Sequence, residues 1–265
     1  MFDGSGAKVL SAGDGLGAGI ESALLDFTAK RVLVTGAAGD IGGAIAAAFA
    51  AHGATVLLAD RDHSRLLARH AEIPGSAWHL FDQTDAASVQ QLAAWAGDVD
   101  VLMNNAGILR TGDVLDATPD EVQQVIQTNL IGPMQLAIAI ANGMAARRQG
   151  VIVNTASQLA FTGAATRALY ATAKAGVVQF TRSMASELGA RGVRVVALAP
   201  GRTRTRLNAH LLDDEDEYRR SIERIPAGRI GNTQEMARLA LILASHLSDY
   251  IVGESLIADG GYVLE

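Results

Sequence analysis

The sequence predicts an α/β fold in which one doubly wound parallel sheet carries helices on both faces. Three observations lead there. Short apolar runs without polar alternation recur between longer helical patterns, as strands buried on both faces do. Apolar residues make up 49% of the 265 and charged residues 19%, ample for the large core of a single sheet of this kind. Each unusual motif falls where an apolar run ends, the edge at which such sheets bind their ligands.

The first 20 residues, MFDGSGAKVLSAGDGLGAGI, hold six glycines, so residues 1–25 are expected to be an extension outside the domain. Residues 26–265 then form one domain. RVLVTG predicts a first strand and IGGAIAAAFAAHG a helix; TVLLAD, HSRLLARHA and AWHLF continue as strand, helix, strand. SVQQLAAWAG and DVDVLMNNAG follow as helix and strand. A long helical stretch covers 119–148, broken or tilted near Gly132-Pro133. GVIVNTAS is the fifth strand, 167–189 a helix and GVRVVALAP the sixth strand. After a charged, irregular stretch, TQEMARLALILAS is a helix and ESLIAD the last strand. No repeat of solenoid length is visible.

Composition also excludes partners. Without cysteine there are no disulfides or thiolate metal sites, which fits a reducing compartment. A net charge of −6 argues against nucleic acid or an anionic membrane as the main partner. No apolar run approaches the ~20 residues of a membrane helix, and the first residues lack the features of a secretory signal. The expectation is a cytoplasmic enzyme-sized domain with a small-molecule substrate and no metal.

TGAAGDIG, between a strand and a helix, brings Gly36, Asp40 and Ile41 to a turn where backbone can approach a pyrophosphate at a helix N-terminus. Asp60 ends the second strand, 18 residues after Gly42, where a carboxylate accepts ribose hydroxyls and repels a 2′-phosphate. Arg61 beside it partly offsets that charge. In YATAK, Tyr170 and Lys174 stand one helical turn apart on one face. A cation held beside a phenol favours its phenolate and suits it to proton transfer.

TGAAGDIG, NNAG, Asn129, Ser157, Tyr170-x-x-x-Lys174 and Pro200-Gly201 stand in an order that resembles the short-chain dehydrogenase/reductase family. The likeness runs from about residue 26 to the closing ADGGY and implies a Rossmann fold. It further implies that Tyr170 is the general acid/base, Lys174 its electrostatic partner, Ser157 a substrate anchor and Asn129 a relay holding a water next to Lys174. Two hydroxyls donating to a carbonyl oxygen stabilise the charge that grows there during reduction. The implied cofactor contacts are Gly36, Asp40, Ile41, Asp60, Arg61, Asp82, Gln83, Asn105, Ala106, Gly107, Tyr170, Lys174, Pro200, Gly201, Thr203 and Thr205. The asparagines of NNAG are expected to tie neighbouring strands. One departure stands out: the family's usual glycine before Ile-Gly is Asp40 here, which could cap the following helix. With Asp60, its charge points to NAD over NADP.

Arg167, three residues before Tyr170, is expected near the pocket mouth, where a guanidinium grips a carboxylate. Some family members that oxidise hydroxy acids are similar in having an arginine there. Arg202, Arg204 and Arg206 alternate along PGRTRTRL; Arg202 is taken as a further substrate contact, although the loop arginines could instead pair with LLDDEDEYRR downstream. The leading expectation is an NAD-dependent dehydrogenase of a small hydroxy acid or sugar acid. A neutral polyol or sugar dehydrogenase, a 3-oxoacyl reductase and a non-catalytic nucleotide sensor are the alternatives. The resemblance also implies a homotetramer, paired through the two long helices and through the last helix and strand.

Overall fold

The computed structural model describes residues 25–206 and 213–265, so the glycine-rich extension lies outside the described residues but for Leu25. Seven strands form one sheet: β1 Arg31–Thr35, β2 Thr55–Asp60, β3 Ala77–Leu80, β4 Val101–Asn104, β5 Gly150–Thr155, β6 Val193–Pro200 and β7 Ser255–Ala258. They lie in the order β3-β2-β1-β4-β5-β6-β7, and every pairing is parallel. Connections run outward in opposite directions from β1 and β4. That divergence opens a crevice above their carboxyl ends.

The helices are α1 Asp40–Ala51, α2 His63–Glu72, α3 Ala86–Ala96, α4 Pro119–Ile126, α5 Gly132–Arg147, α6 Ala168–Leu188, α7 Glu215–Ile222 and α8 Thr233–Ala244. Alternate residues of each strand face opposite layers. Val32, Val34 and Leu58 pack with Ile45 and Phe49 of α1 and with Met236 and Leu241 of α8. Leu33, Leu57 and Leu102 pack on the other side with Leu92 of α3, Leu136 and Met144 of α5 and Leu188 of α6.

Two elements differ from expectation. The 119–148 stretch does not break at Gly132-Pro133: a π turn over Gln127–Ile131 joins α4 to α5. Proline is tolerated there as the second residue of α5, and the irregularity lies one turn earlier. The charged stretch contains α7, which alternation of charges had disguised.

Candidate active site

A cleft of ≈ 690 Å³ opens above the carboxyl ends of the strands. Its floor starts at Gly36, which follows β1 with φ +67°, a left-handed conformation suited to glycine. A Cβ on Gly42 would stand 2.2 Å from the Gly36 carbonyl oxygen, so the first turn of α1 lies directly on this bend. Gly39 caps α1 and offers no side-chain acceptor, which leaves the first-turn N–H groups, Ile41 among them, facing the cleft. Asp40 is therefore not the helix cap. It is the first residue of α1, and its carboxylate accepts the backbone N–H of Arg206 at 2.7 Å and pairs with that guanidinium. The charge expected to disfavour a phosphate is thus offset by Arg206, a partner 166 positions away that spacing could not suggest.

At the tip of β2 the Asp60 carboxylate accepts Ala38 N–H and Asp62 N–H, both at 3.0 Å, and so holds the glycine turn against the strand. Arg61 and Arg65 line the cleft beside it. Asp82 accepts both the backbone N–H and the hydroxyl of Thr84, which hold its carboxyl below the usual range. Gln83 is buried against the π turn. Thr35 Oγ1 accepts the N–H groups of Asn105 and Ala106, at 3.0 and 3.1 Å, and so brings NNAG onto the end of β1. Asn104 Nδ2 donates to Asn154 Oδ1 at 3.1 Å, and Asn154 Nδ2 to Thr181 Oγ1 at 3.0 Å. The first asparagine does tie β4 to β5, and the ladder extends to α6. Gly107, Pro200, Gly201 and Thr205 complete the wall, while Thr203 sits outside it in a bridge to Gly231.

Ser157, Tyr170 and Lys174 converge on the cleft. Ser157 follows β5, caps a short 3-10 turn through Leu159 N–H, and shares a hydrogen bond with the Tyr170 phenol. Lys174 Nζ donates to the Thr155 carbonyl at 2.7 Å and lies 5.8 Å from the Tyr170 ring centroid. Burial pulls the lysine down to about 8. It also pushes the phenol above its ordinary range, only partly countered by Ser157. Desolvation therefore acts against the phenolate expected from the spacing of Tyr170 and Lys174. Burial around Tyr170 favours the protonated phenol, the form that can donate.

Asn129 is fully buried behind the Ile108 segment, in the π turn. Its Oδ1 accepts Ile108 N–H at 3.0 Å, and its Nδ2 donates to the carbonyls of Ile108 and Val125. Both amide protons are thus committed, so a relay at this residue would rely on its main chain. Arg167 does not stand on the helix proper. It is the N-cap of α6 with φ −133°, half-buried and outside the cleft wall, and its guanidinium makes no hydrogen bond or ion pair with the described residues. Arg202 turns away to donate to Ser221 Oγ of α7 at 2.8 Å, and Arg204 pairs with Asp213. The expected pairing with LLDDEDEYRR therefore accounts for Arg204, whereas Arg202 bonds a hydroxyl just beyond that run. Sequence reasoning missed Arg65, Thr155 and Arg206; only Arg206 carried a signal, as one of the loop arginines.

The residues present fit a dinucleotide. Two glycines that admit no side chain, a helix N-terminus without a capping group and a carboxylate at the tip of β2 form one continuous wall. A bound nicotinamide supplies a hydride donor or acceptor. This chain supplies two hydroxyls that can meet a carbonyl oxygen, one of which can pass its proton.

Comparison with known proteins agrees. The family profile described as enoyl-(acyl carrier protein) reductase matches residues 36–263. The 3-oxoacyl-[acyl-carrier-protein] reductase FabG of Escherichia coli is 36% identical over 243 residues, covering 89% of this chain and 98% of that one. A gluconate 5-dehydrogenase from Burkholderia cenocepacia, solved in complex with NADP and tartrate, superposes with TM-score 0.85 at 32% identity. The likeness covers 92% of this chain and 99% of that one. A protein assigned as a gluconate dehydrogenase from Agrobacterium tumefaciens also gives TM-score 0.85, at 31% identity over 91% of this chain and 98% of that one. Fold and site together define a nicotinamide-cofactor oxidoreductase that interconverts secondary alcohols and ketones. The chain belongs to the short-chain dehydrogenase/reductase family.

Proposed function

We propose that this enzyme is a cytoplasmic, NAD-preferring dehydrogenase of a small hydroxy acid or sugar acid. The observation that carries the reading is the convergence of Ser157, Tyr170 and Lys174 on a dinucleotide-shaped cleft whose ribose end presents Asp60. Asp60 keeps lone pairs for ribose hydroxyls after serving Ala38 and Asp62, and its charge opposes a 2′-phosphate. Arg61 and Arg65 lie close enough to soften that opposition, so the preference is expected to be graded. Support for an acid substrate comes from half-buried Arg167 at the start of α6, whose guanidinium has no partner among the described residues, and from tartrate in the Burkholderia relative. Asn129 is read as the start of a proton path through its main chain.

A 3-oxoacyl reductase is the second reading, favoured by the 36% identity to FabG. One screen separates the two: initial rates with NAD and NADP against gluconate, tartrate, 3-hydroxybutyrate, polyols, and acetoacetyl thioester in reverse. The expected result is turnover of an acid with higher kcat/KM for NAD, and a smaller difference between cofactors in Asp60→Ala. A best rate on the thioester with NADPH would replace the reading with the second. Arg167→Ala should lower kcat/KM for the acid about tenfold or more and leave a polyol unchanged. Equal losses on both would remove Arg167 from the substrate site.

The assembly is proposed to be a homotetramer. The apolar side chains of AGVVQFTRSMA do not support this, because Val177, Val178 and Met184 are buried in the chain's own core. What supports it is apolar surface elsewhere: Ile138 on α5, and Tyr250, Val252, Leu256 and Leu264 around β7.

A further inference from the structure

In the π turn, Gly132 N–H donates to the carbonyl of Gln127, five residues back. The next donor in that register is residue 133, which would serve the carbonyl of Thr128. Residue 133 is proline and has no N–H to give. A buried carbonyl without a donor is costly, so the turn needs one from outside the helix. Gln83 supplies it: its Nε2 donates to the Thr128 carbonyl at 2.6 Å. The same residue also grips the turn from its far side, since a Cβ on Gly132 would stand 2.2 Å from the Gln83 carbonyl oxygen. Gln83 is 5% exposed and its Oε1 has no partner among the described residues, so its polarity serves the single bond it donates.

We propose that Gln83 is a positioning residue that stands in for the missing N–H of Pro133 and thereby holds the π turn carrying Asn129. Thr128 and Asn129 are adjacent, and the turn fixes where the Asn129 main chain faces relative to Lys174. A Cβ on Gly107 would stand 2.7 Å from Asn129 Oδ1 and 3.6 Å from Lys174 Nζ, so both residues lie close to one point beside Gly107. The inference rests on the reading of Asn129 as part of the proton path. It gives Gln83, implied by the resemblance as a cofactor contact, a role in proton transfer rather than in cofactor affinity.

Gln83→Met, Gln83→Met/Pro133→Ala and Asn129→Ala test this. Methionine matches glutamine in length and removes the orphaned Oε1 along with the donor, so the fold should persist; alanine at 133 returns an N–H to the helix. In the cofactor-free protein, amide exchange over 125–133 should quicken about tenfold in Gln83→Met, the loss of one hydrogen bond, and recover in the double variant. NADH affinity by fluorescence titration should stay within about threefold, while kcat on the best acid of the screen falls about tenfold and its pH profile shifts. The double variant should regain most of that kcat. Weaker NADH binding with kcat intact, or no recovery with Pro133→Ala, would overturn the inference. If Asn129→Ala lowers kcat and Gln83→Met does not, this inference alone falls. Parental kcat in Asn129→Ala, which frees the turn from Ile108 and keeps the main-chain carbonyl, would instead mean that the placement of that carbonyl does not govern the rate, and Gln83's part would fall with it.

Discussion

Tyr170 and Lys174 show that the physical effect of a residue pair depends on what else surrounds it. One turn apart on α6, they look like a phenol with its pKa lowered by a cation. Yet Lys174 is buried and Tyr170 half-buried, and desolvation penalises each charged form. The resting site is a protonated phenol beside a lysine that loses its charge near pH 8. Reduction consumes that phenol's proton, whereas oxidation needs the phenolate. The reductase rate should therefore hold through neutral pH and fall in alkali, and the dehydrogenase rate should rise with pH over the same range, as paired pH–rate profiles would record. Tyr170→Phe removes only the oxygen and should cost about 10²–10⁴-fold in kcat with NADH affinity retained. Lys174 has a separate stability signature. Its folded value, about 8, lies below the 10.5 of the free side chain, so the unfolded chain binds the proton more readily. The penalty is present in full below pH 8 and is relieved as pH rises from 8 towards 10.5. By that sign, Lys174→Met should abolish turnover while raising Tm of the cofactor-free protein at pH 7, with the gain shrinking at pH 10. A lower Tm at pH 7 would mean that its bond to Thr155 outweighs desolvation.

At the scale of elements, buried polar contacts hold the strand ends where the chemistry needs them. Asn104, Asn154 and Thr181 join β4, β5 and α6 in one buried ladder that ends on the Val177 carbonyl. Ser157 follows β5, and Tyr170 and Lys174 stand on α6, so the ladder ties together the two elements that carry the proposed catalytic hydroxyls. Asn154→Ala strands a donor on Asn104 and an acceptor on Thr181 and should destabilise by about 2–3 kcal/mol. In thermal unfolding that is a fall in Tm of roughly 5–10 °C. An exposed change on the same scale, such as Gln179→Ala, should be nearly silent.

For the whole molecule, the sheet order explains why motifs dispersed from residue 36 to residue 206 form one site. β1 and β4 are neighbours whose connections diverge, and the crevice between them collects the loops that follow β1, β2, β4, β5 and β6. Part of the exposed apolar surface lies away from that crevice, at Ile138 on α5 and at Tyr250, Val252, Leu256 and Leu264 around β7. Light scattering should give about four chains per particle at micromolar concentration, and Ile138→Lys or Leu256→Lys should reduce it to smaller species; a monomeric parent would refute the assembly.

The sequence by itself determined the sheet, most of its helices, the end at which ligands bind and the pairing of Tyr170 with Lys174 on one helix face. Those depend on local periodicity, on glycines whose conformations few other residues adopt, and on fixed spacing within one helix. α7 escaped because charge masks a short helix whose apolar face is narrow. Only the tertiary structure decided the partners of Asp40, Arg202 and Thr128, since each lies far along the chain or across the sheet, where spacing carries no information. It also decided the sign of the Tyr170 perturbation. Proximity to Lys174 is written in four residues, but the desolvation that opposes it is the sum of everything packed around α6.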